Sequence, residues 1–163
     1  MITVSSLLGA CGSTNSITTR SSSEPSERFI PTMSRSAGLA EARRFNRLNR
    51  AYTEWRGTPY QWGGTNLKGV DCSAFMQVIF DEYLGEKLPR TTLEQMKLGK
   101  KIRRKWIDLG DLVFFKTGPT TYHVGVMVDR RHFLHAGTTG GVMISDLNAR
   151  YWSVHYLSAR RVL

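Results

Sequence analysis

The spacing of apolar residues predicts two amphipathic helices in the middle of the chain. After Leu39, apolar side chains recur every three or four residues along one face, and they are Ala42, Phe45, Leu48, Tyr52 and Trp55. Gly57-Thr58-Pro59 ends this pattern. A wider apolar stripe follows Cys72 and stops at Gly85, a residue that commonly terminates helices. We therefore expect one helix from residue 39 to the Gly57 turn and another beginning at Cys72.

Further along the chain, the pattern changes from helical to strand-like. Thr91 and Thr92 are expected to cap a short helix that ends at Gly99. Five apolar runs then predict strands at residues 112–115, 123–128, 131–136, 142–145 and 154–162. Helices followed by consecutive strands are typical of an α+β fold, with N-terminal helices packed on a mainly antiparallel sheet of five to six strands.

The N-terminal segment has a different composition. Residues 1–11 are mildly apolar and end in Leu8-Gly9-Ala10-Cys11, which resembles a bacterial lipobox, so we interpret them as a partial lipoprotein signal with lipidation at Cys11. The segment lacks basic residues and its apolar stretch is short, which leaves a cysteine in a flexible tail as the alternative. Gly12 would favour sorting to the outer membrane.

Residues 12–38 are rich in serine and threonine, contain two prolines and have little apolar content. Such a segment cannot bury enough surface to order itself, so it is predicted to be a disordered tether. This leaves residues 39–163 as one folded domain, which is large enough to form a core without disulfide or metal cross-links.

Charge and cysteine content narrow the possible partners. The net charge is +10, of which residues 39–163 carry +9, so an anionic partner is implied. We expect no nucleic acid, because no basic helix with interleaved aromatic residues is present, and a cell-wall or membrane surface attracts cations equally well. Cys11 and Cys72 are the only cysteines and lie far apart in sequence, which argues against a structural disulfide and a zinc site.

Cys72 is the first candidate for chemistry. Asp71 is a good N-cap, so Cys72 is expected in a first helical turn, where the helix dipole would lower the pKa of its thiol. Glycines at positions 63, 64 and 69 are expected to let another chain approach closely. This arrangement suits a thiol nucleophile. The alternative is a small buried hydrophobic residue.

The four histidines divide into two pairs. His132 lies by a turn and His155 alternates with apolar residues, which is typical of ordinary surface or sheet positions. His123 opens one apolar strand and His135 closes the next, so both imidazoles are expected at sheet ends. A nucleophilic cysteine needs a base for its proton and a third group that holds the base in one tautomer. His123 and His135 are candidates for these two roles.

The register between the two strands decides whether these histidines can meet. A two-residue turn at residues 129–130 would place His123 and His135 on opposite faces. An odd-length or bulged turn would pair His135 with either His123 or Gly125, and both imidazoles would then share a face. We predict such a turn, with that face covered by the Cys72 helix and a ring nitrogen of His123 near hydrogen-bonding distance of the thiol. Otherwise, Cys72 and His123 would work as a dyad.

Several short motifs occur in order along residues 39–163. They are Gly57-Thr58-Pro59-Tyr60-x-Trp62-Gly63-Gly64, Asp71-Cys72-Ser73-x-Phe75, Leu88-Pro89-Arg90-Thr91-Thr92 with Gln95, Gly110-Asp111-Leu112-Val113-Phe114-Phe115, His123-Val124-Gly125-Val126, Phe133-Leu134-His135-Ala136, Tyr151-Trp152 and Arg160-Arg161. Together they resemble the NlpC family of papain-like cell-wall cysteine peptidases. The resemblance covers the whole predicted domain and leaves only residues 1–38 outside.

This resemblance implies a fold and a set of catalytic roles. The domain would have a circularly permuted, papain-like NlpC-type fold. Cys72 would be the nucleophile, His123 the general base and His135 the orienting third member. The implied reaction is hydrolysis of an amide bond in peptidoglycan stem peptides through a thioester acyl-enzyme, without metal or cofactor.

The resemblance also assigns residues around the nucleophile. Tyr60 would line the site and help the oxyanion hole beside the backbone N–H of Cys72. Asp71 and Ser73 would contact the substrate. Ala74 stands where the family usually has glycine, a departure that removes no catalytic group.

The resemblance also bears on which peptidoglycan bond is hydrolysed and where in the cell the protein is located. The lipobox, the tether and the single domain are similar to small outer-membrane lipoproteins of this family that face the periplasm and cut the D-alanyl to meso-diaminopimelate crosslink. Other members cut γ-D-glutamyl-diaminopimelate. An amidase or acyltransferase with a non-wall substrate, and a non-catalytic wall-binding scaffold, are the alternatives from other classes. We expect a monomer.

Overall fold

The computed structural model describes residues 35–163. The lipobox with Cys11 and residues 12–34 of the predicted tether lie outside the described residues. Helix α1 (Arg35–Trp55) begins four residues before the predicted domain boundary, so positions 35–38 are helical rather than part of a tether. Between residues 35 and 163, no helix is long and apolar enough to cross a membrane.

The apolar face of α1 is buried only in its C-terminal half. Leu48, Ala51 and Trp55 are buried in the main core, whereas Phe45 is 48 % exposed. Ala42, one turn earlier, is also exposed. The periodicity therefore predicted the helix correctly, but the first turns of α1 extend beyond the core against which its C-terminal half packs.

Helix α2 (Cys72–Val78) carries the predicted apolar stripe and continues as a π-helical turn (Ile79–Leu84). The stripe is buried at Phe75, Met76, Ile79, Phe80 and Tyr83. Gly85 adopts the left-handed conformation, with φ of 82°, and ends the helix as predicted. The short helix α3 (Thr92–Gln95) begins at a capping box formed by Thr91 and Glu94.

The sheet is mainly antiparallel and has six strands, which are β3 (Lys100–Ile102), β4 (Leu112–Lys116), β5 (Tyr122–Met127), β6 (His132–Gly137), β7 (Gly141–Asp146) and β8 (Tyr156–Arg161). Their order across the sheet is β3-β8-β4-β5-β6-β7. The α+β prediction is confirmed. The sequence did not predict the hairpin of β1 (Thr65–Asn66) with β2 (Gly69–Val70), strand β3, or the 3-10 turn Arg104–Trp106. It also missed helix α4 (Arg150–His155), which occupies the start of the last predicted strand.

The two faces of the sheet have separate apolar cores. One face, called here the α2 face, packs against α2 and presents Leu112, Phe114, Val124, Val126, Leu134 and Ala136. The other, called here the α4 face, presents Val113, Phe115, Met127, Phe133 and Ala159, with Trp152 of α4 packed against them. Because successive side chains of a strand point to opposite faces, these residues also fix the face on which each neighbouring residue of the strand lies.

The turn between β5 and β6 has the register that brings the two histidines together. Val126 pairs with Leu134 and Met127 with Phe133, so Gly125 stands opposite His135. The backbone N–H of Val128 donates to the carbonyl of His132 (2.9 Å), which leaves residues 129–131 as a three-residue loop. The prediction of an odd-length turn is confirmed. A Cβ at Gly125 would lie 2.6 Å from the Phe133 ring, so this position needs glycine.

Candidate active site

Cys72 lies at the N-terminus of α2, as predicted, and is 6 % exposed. Asp71 is the N-cap, and its Oδ1 accepts a hydrogen bond from the backbone N–H of Ala74 (2.8 Å). The backbone N–H of Cys72 is in the first turn of α2, where N–H groups have no acceptor within the helix. It can therefore donate to an oxyanion. The local sequence therefore places both the thiol and a donor at one helix end.

Arg90 joins Asp71 and Ser73 into one network. Its guanidinium forms an ion pair with both carboxylate oxygens of Asp71 and donates to Ser73 Oγ (3.0 Å), which itself donates to Asp71 (3.0 Å). Burial alone would raise the pKa of Asp71, but the hydrogen bonds from Arg90, Ala74 and Ser73 hold it below its usual value. The sequence pointed to Arg90 only as part of a motif and assigned it no role.

The glycine-rich loop ahead of α2 is packed against itself. A side chain at Gly64 would overlap the carbonyl of Gly69, and one at Gly69 would overlap Gln61. Of the three glycines at positions 63, 64 and 69, Gly63 is the one that borders open space, and its N–H donates to Asp71 (3.1 Å). Two of the three glycines therefore allow the β1–β2 hairpin to fold closely rather than leaving room for another chain.

The thiol of Cys72 is in a protected environment. Its sulfur lies 3.8 Å from Thr92 Oγ1. Burial raises the pKa of the Cys72 thiol above its ordinary value, although hydrogen bonding to Thr92 and to the backbone N–H of Val124 opposes this. The prediction of a lowered pKa was therefore wrong, because desolvation outweighs the donors at the helix end. A thiol of this kind needs a base to remove its proton.

His123 and His135 form a hydrogen-bonded pair. His123 Nε2 lies 3.0 Å from His135 Nδ1, and His135 Nε2 lies 2.8 Å from Ser145 Oγ. Burial lowers the pKa of His123 to about 4, and burial together with the charge of His123 lowers the pKa of His135 to about 2. Both imidazoles are therefore neutral at neutral pH. Among the described residues, His123 Nδ1 has no hydrogen-bond partner, which leaves it available as a base.

The two imidazoles share a face, as predicted, but it is the α4 face and not the α2 face. The His123 ring stacks on Trp152 (5.3 Å between centroids), and the His135 ring stacks on Phe133 (4.7 Å). Val124 points towards α2, so alternation turns His123 away from it. The thiol meets the strand at the Val124 N–H. Within residues 35–163, the thiol is hydrogen-bonded to Thr92 and not to His123, so the approach of a His123 ring nitrogen to the thiol stays a prediction.

Two cavities flank these groups. One, of about 520 Å³, is lined by Cys72, Asp71, Ser73 and Arg90. The other, of about 340 Å³, is lined by His123, His135, Ser145 and Trp152. Tyr60, Trp62, Thr121 and Tyr122 line both cavities and therefore stand between the thiol side and the imidazole side.

Tyr60 lines both cavities and retains its phenol proton. Its backbone bridges to Val70, just before the N-cap of α2. Burial raises the pKa of Tyr60, and the nearby Cys72 and Asp71 charges raise it further, against the opposing effect of Arg90. The phenol therefore keeps its proton at neutral pH and can donate a hydrogen bond to a developing oxyanion.

The buried histidines predict a loss of stability in mild acid. Because the folded-state pKa of each is below the unfolded value of about 6.5, the unfolded chain binds more protons as the pH falls below 6.5. Stability is thus full above pH 6.5 and decreases towards pH 4. We expect a loss on the order of 2 kcal/mol per imidazole between pH 7 and pH 5, measured by urea unfolding.

A double variant distinguishes the contribution of His123 and His135 to the pH dependence of stability from that of other titrating groups. His123→Gln with His135→Gln should remove most of the dependence between pH 7 and pH 5. The exposed His132→Gln is the control and should keep it. An unfolding free energy that is independent of pH across this range in the unmodified protein would contradict the prediction.

The fold and the site together define a class of enzyme. An α+β domain that places a thiol at a helix N-terminus, with two neutral, hydrogen-bonded imidazoles on the neighbouring strands β5 and β6, has the components of a cysteine hydrolase. Among the described residues, no group of three or more His, Cys, Asp and Glu side chains is placed to hold a metal ion.

The chain belongs to the NlpC/P60 family, whose model matches residues 57–161. It is 38 % identical to the murein DD-endopeptidase MepS/murein LD-carboxypeptidase of Escherichia coli, over 99 % of this chain and 89 % of that protein. A probable endopeptidase of Haemophilus influenzae is 48 % identical over 71 % of this chain and 73 % of its own length. The crystal structure of an NLP/P60-family protein similar to lipoprotein, from Staphylococcus aureus, matches with a TM-score of 0.65 and 33 % identity, covering 75 % of this chain and 42 % of that chain.

Proposed function

We propose that this chain is a peptidoglycan endopeptidase that cuts the D-alanyl to meso-diaminopimelate crosslink, with Cys72 as nucleophile and His123 as general base. The 3.0 Å hydrogen bond from His123 to His135 carries the proposal, because it occupies Nε2 and leaves Nδ1 for the thiol proton. The similarity to a murein DD-endopeptidase over almost the whole chain supports the choice of bond.

Acylation begins with proton transfer. His123 Nδ1 takes the proton of the Cys72 thiol, and the resulting thiolate attacks the carbonyl carbon of the scissile amide. Since both groups are neutral in the free protein, we expect the transfer to occur as substrate excludes water from the site. The hydrogen bond to His135 stabilises the imidazolium that forms, because His135 Nδ1 can accept from His123 Nε2.

The tetrahedral intermediate carries its negative charge on the former carbonyl oxygen. The backbone N–H of Cys72 and the hydroxyl of Tyr60 are the proposed donors to this oxygen. The imidazolium of His123 then returns its proton to the leaving amine, and the carbon–nitrogen bond breaks. An acyl-enzyme thioester on Cys72 remains.

Deacylation reverses these roles. His123 removes a proton from a water molecule, which attacks the thioester carbonyl. The thiolate of Cys72 leaves and regains the proton from His123. The stem peptide departs as a carboxylic acid, which releases its proton to solvent. One water molecule is consumed, and Cys72 and His123 return to their starting states.

Arg90 and the overall charge suit an anionic peptide. Asp71 and Ser73 hold the guanidinium at the wall of the thiol cavity, and its side chain is 40 % exposed. We propose that Arg90 attracts stem-peptide carboxylates while Asp71 and Ser73 fix its position and contact the substrate. Peptidoglycan is a material of the bacterial cell envelope, which is the proposed location of this protein.

Digestion of crosslinked peptidoglycan tests the function. Purified protein is incubated with intact sacculi, a muramidase then cuts the glycan strands, and the resulting muropeptides are analysed by mass spectrometry. Cleavage of the D-alanyl crosslink should convert dimers into disaccharide tetrapeptides. Disaccharide dipeptides would instead indicate cleavage at γ-D-glutamyl-diaminopimelate, and no change in any muropeptide would support the non-catalytic scaffold.

We also propose that Cys11 carries a lipid that anchors the protein to the outer membrane. The support is the Leu8-Gly9-Ala10-Cys11 sequence followed by Gly12. When the chain is expressed behind a complete lipoprotein signal, it should fractionate with membranes, whereas Cys11→Ser should be released into the soluble fraction. Residues 35–163 alone should remain active. Equal partitioning of both full-length forms would remove the anchor from the proposal.

A further inference from the structure

We propose that Ser145 is a positioning residue that holds His135, and through it His123, in the tautomer required for base catalysis. This inference rests on the proposed function, since it assigns the task of Ser145 within the same site. Its basis is the hydrogen bond of 2.8 Å between Ser145 Oγ and His135 Nε2.

Strand geometry puts Ser145 in this position. Met143 of β7 pairs with His135 of β6, and Ser145 pairs with Phe133. Side chains two residues apart point to the same face, so Ser145 is on the α4 face with both imidazoles. Ser145 lies diagonally across from His135, as His135 lies diagonally across from His123. Ser145 is half-buried, and it lines the cavity that His123 and His135 also line.

The protons in this chain of hydrogen bonds can be counted. A neutral imidazole carries one N–H. For His123 Nδ1 to accept the thiol proton, the single proton of His123 must be on Nε2, where it is donated to His135 Nδ1. His135 must then carry its own proton on Nε2 and donate it to Ser145 Oγ. The serine oxygen is therefore the acceptor that completes the series.

Without the hydroxyl, the Nε2–H of His135 has no acceptor, and this favours the opposite arrangement. His135 could carry its proton on Nδ1 and donate it to His123 Nε2. The proton of neutral His123 would then be on Nδ1, where it blocks acceptance of the thiol proton. Because His135 is almost fully buried, among Phe133 and Trp152, few other acceptors can replace the serine oxygen.

Nitrogen-15 NMR of histidine-labelled full-length protein reports these tautomers directly, and sacculus digestion reports activity. In the unmodified protein, both His123 and His135 should be the Nε2–H tautomer. Ser145→Ala should give a mixture of tautomers at both residues, with kcat about tenfold lower, as expected for loss of one buried hydrogen bond, and KM nearly unchanged. Ser145→Thr keeps the hydroxyl and should restore both readouts.

Ser158→Ala is the matched control, because among the described residues the buried Ser158 hydroxyl has no hydrogen-bond partner. It should change neither tautomer nor kcat. A pure Nε2–H tautomer in Ser145→Ala would overturn the inference, as would a fall in kcat that Ser145→Thr does not rescue. If the unmodified protein hydrolyses nothing, the proposed function fails while the tautomers still decide the role of Ser145.

Discussion

Cys72→Ala is expected to abolish peptidoglycan hydrolysis while leaving the fold intact. The substitution removes only the buried sulfur, so the Asp71 cap and the apolar stripe of α2 remain. Loss of a nucleophile has cost on the order of a million-fold in kcat in a well-studied serine hydrolase, which here means activity below detection. Muropeptide release measures the effect, and circular dichroism with thermal unfolding checks the fold.

Alkylation provides a second measurement of the same thiol. Iodoacetamide should inactivate the protein by modifying Cys72, and zinc chelators should not inactivate it. Because burial raises the pKa of the Cys72 thiol, the alkylation rate should keep rising above pH 9 rather than reach a plateau at neutral pH. Cys11→Ser is the control and should be alkylated at Cys72 and inactivated at the same rate. Hydrolysis by Cys72→Ala would rule out Cys72 as the nucleophile.

His123→Gln is expected to lower kcat by about 10²- to 10⁴-fold, the usual contribution of a general base. The glutamine amide can still donate to His135 Nδ1, so the substitution removes the base without removing that hydrogen bond. The comparison is made on muropeptide release at pH 7, where the unmodified His123 is neutral because its pKa is about 4.

Two measurements separate loss of the base from loss of the site. Alkylation of Cys72 by iodoacetamide at high pH, where hydroxide forms the thiolate, should be unchanged in His123→Gln. His155→Gln, at the last residue of α4, should keep full hydrolysis. If His123→Gln retained kcat within about twofold of the unmodified protein, an effect far below the usual general-base contribution, His123 would not be the base.

The geometry of the free protein has a consequence for how catalysis begins. The thiol contacts Thr92 and the Val124 N–H, while His123 is bonded to His135, so the proposed nucleophile and base are both neutral in the resting site. A neutral thiol is less nucleophilic than a thiolate, which limits its reaction with other molecules. We therefore expect substrate binding to bring the thiol and His123 Nδ1 into contact.

The local sequence was sufficient to predict the structural features that depend on residues close together in the chain. The apolar spacing after Cys72 predicted the buried stripe, and Asp71 before it predicted the cap, because helix periodicity and capping act within one or two turns. Strand alternation also showed that His123 and His135 can share a face only across an odd-length or bulged turn, and the structure has this register. The motifs that resemble the NlpC family identified the domain, and the family match confirms this.

Tertiary structure decided the properties that depend on distant segments. Which face of the sheet the imidazoles occupy was set by the packing of α2 on Val124 and of α4 on Phe115, and alternation alone is symmetric between the faces. The thiol pKa depends on burial by the whole domain, which the helix end does not reveal. The partners of Asp71 and His135 are Arg90 and Ser145, which join them only when the chain folds. Sequence thus determined the elements and the candidate groups, and the packing between elements determined their environment and contacts.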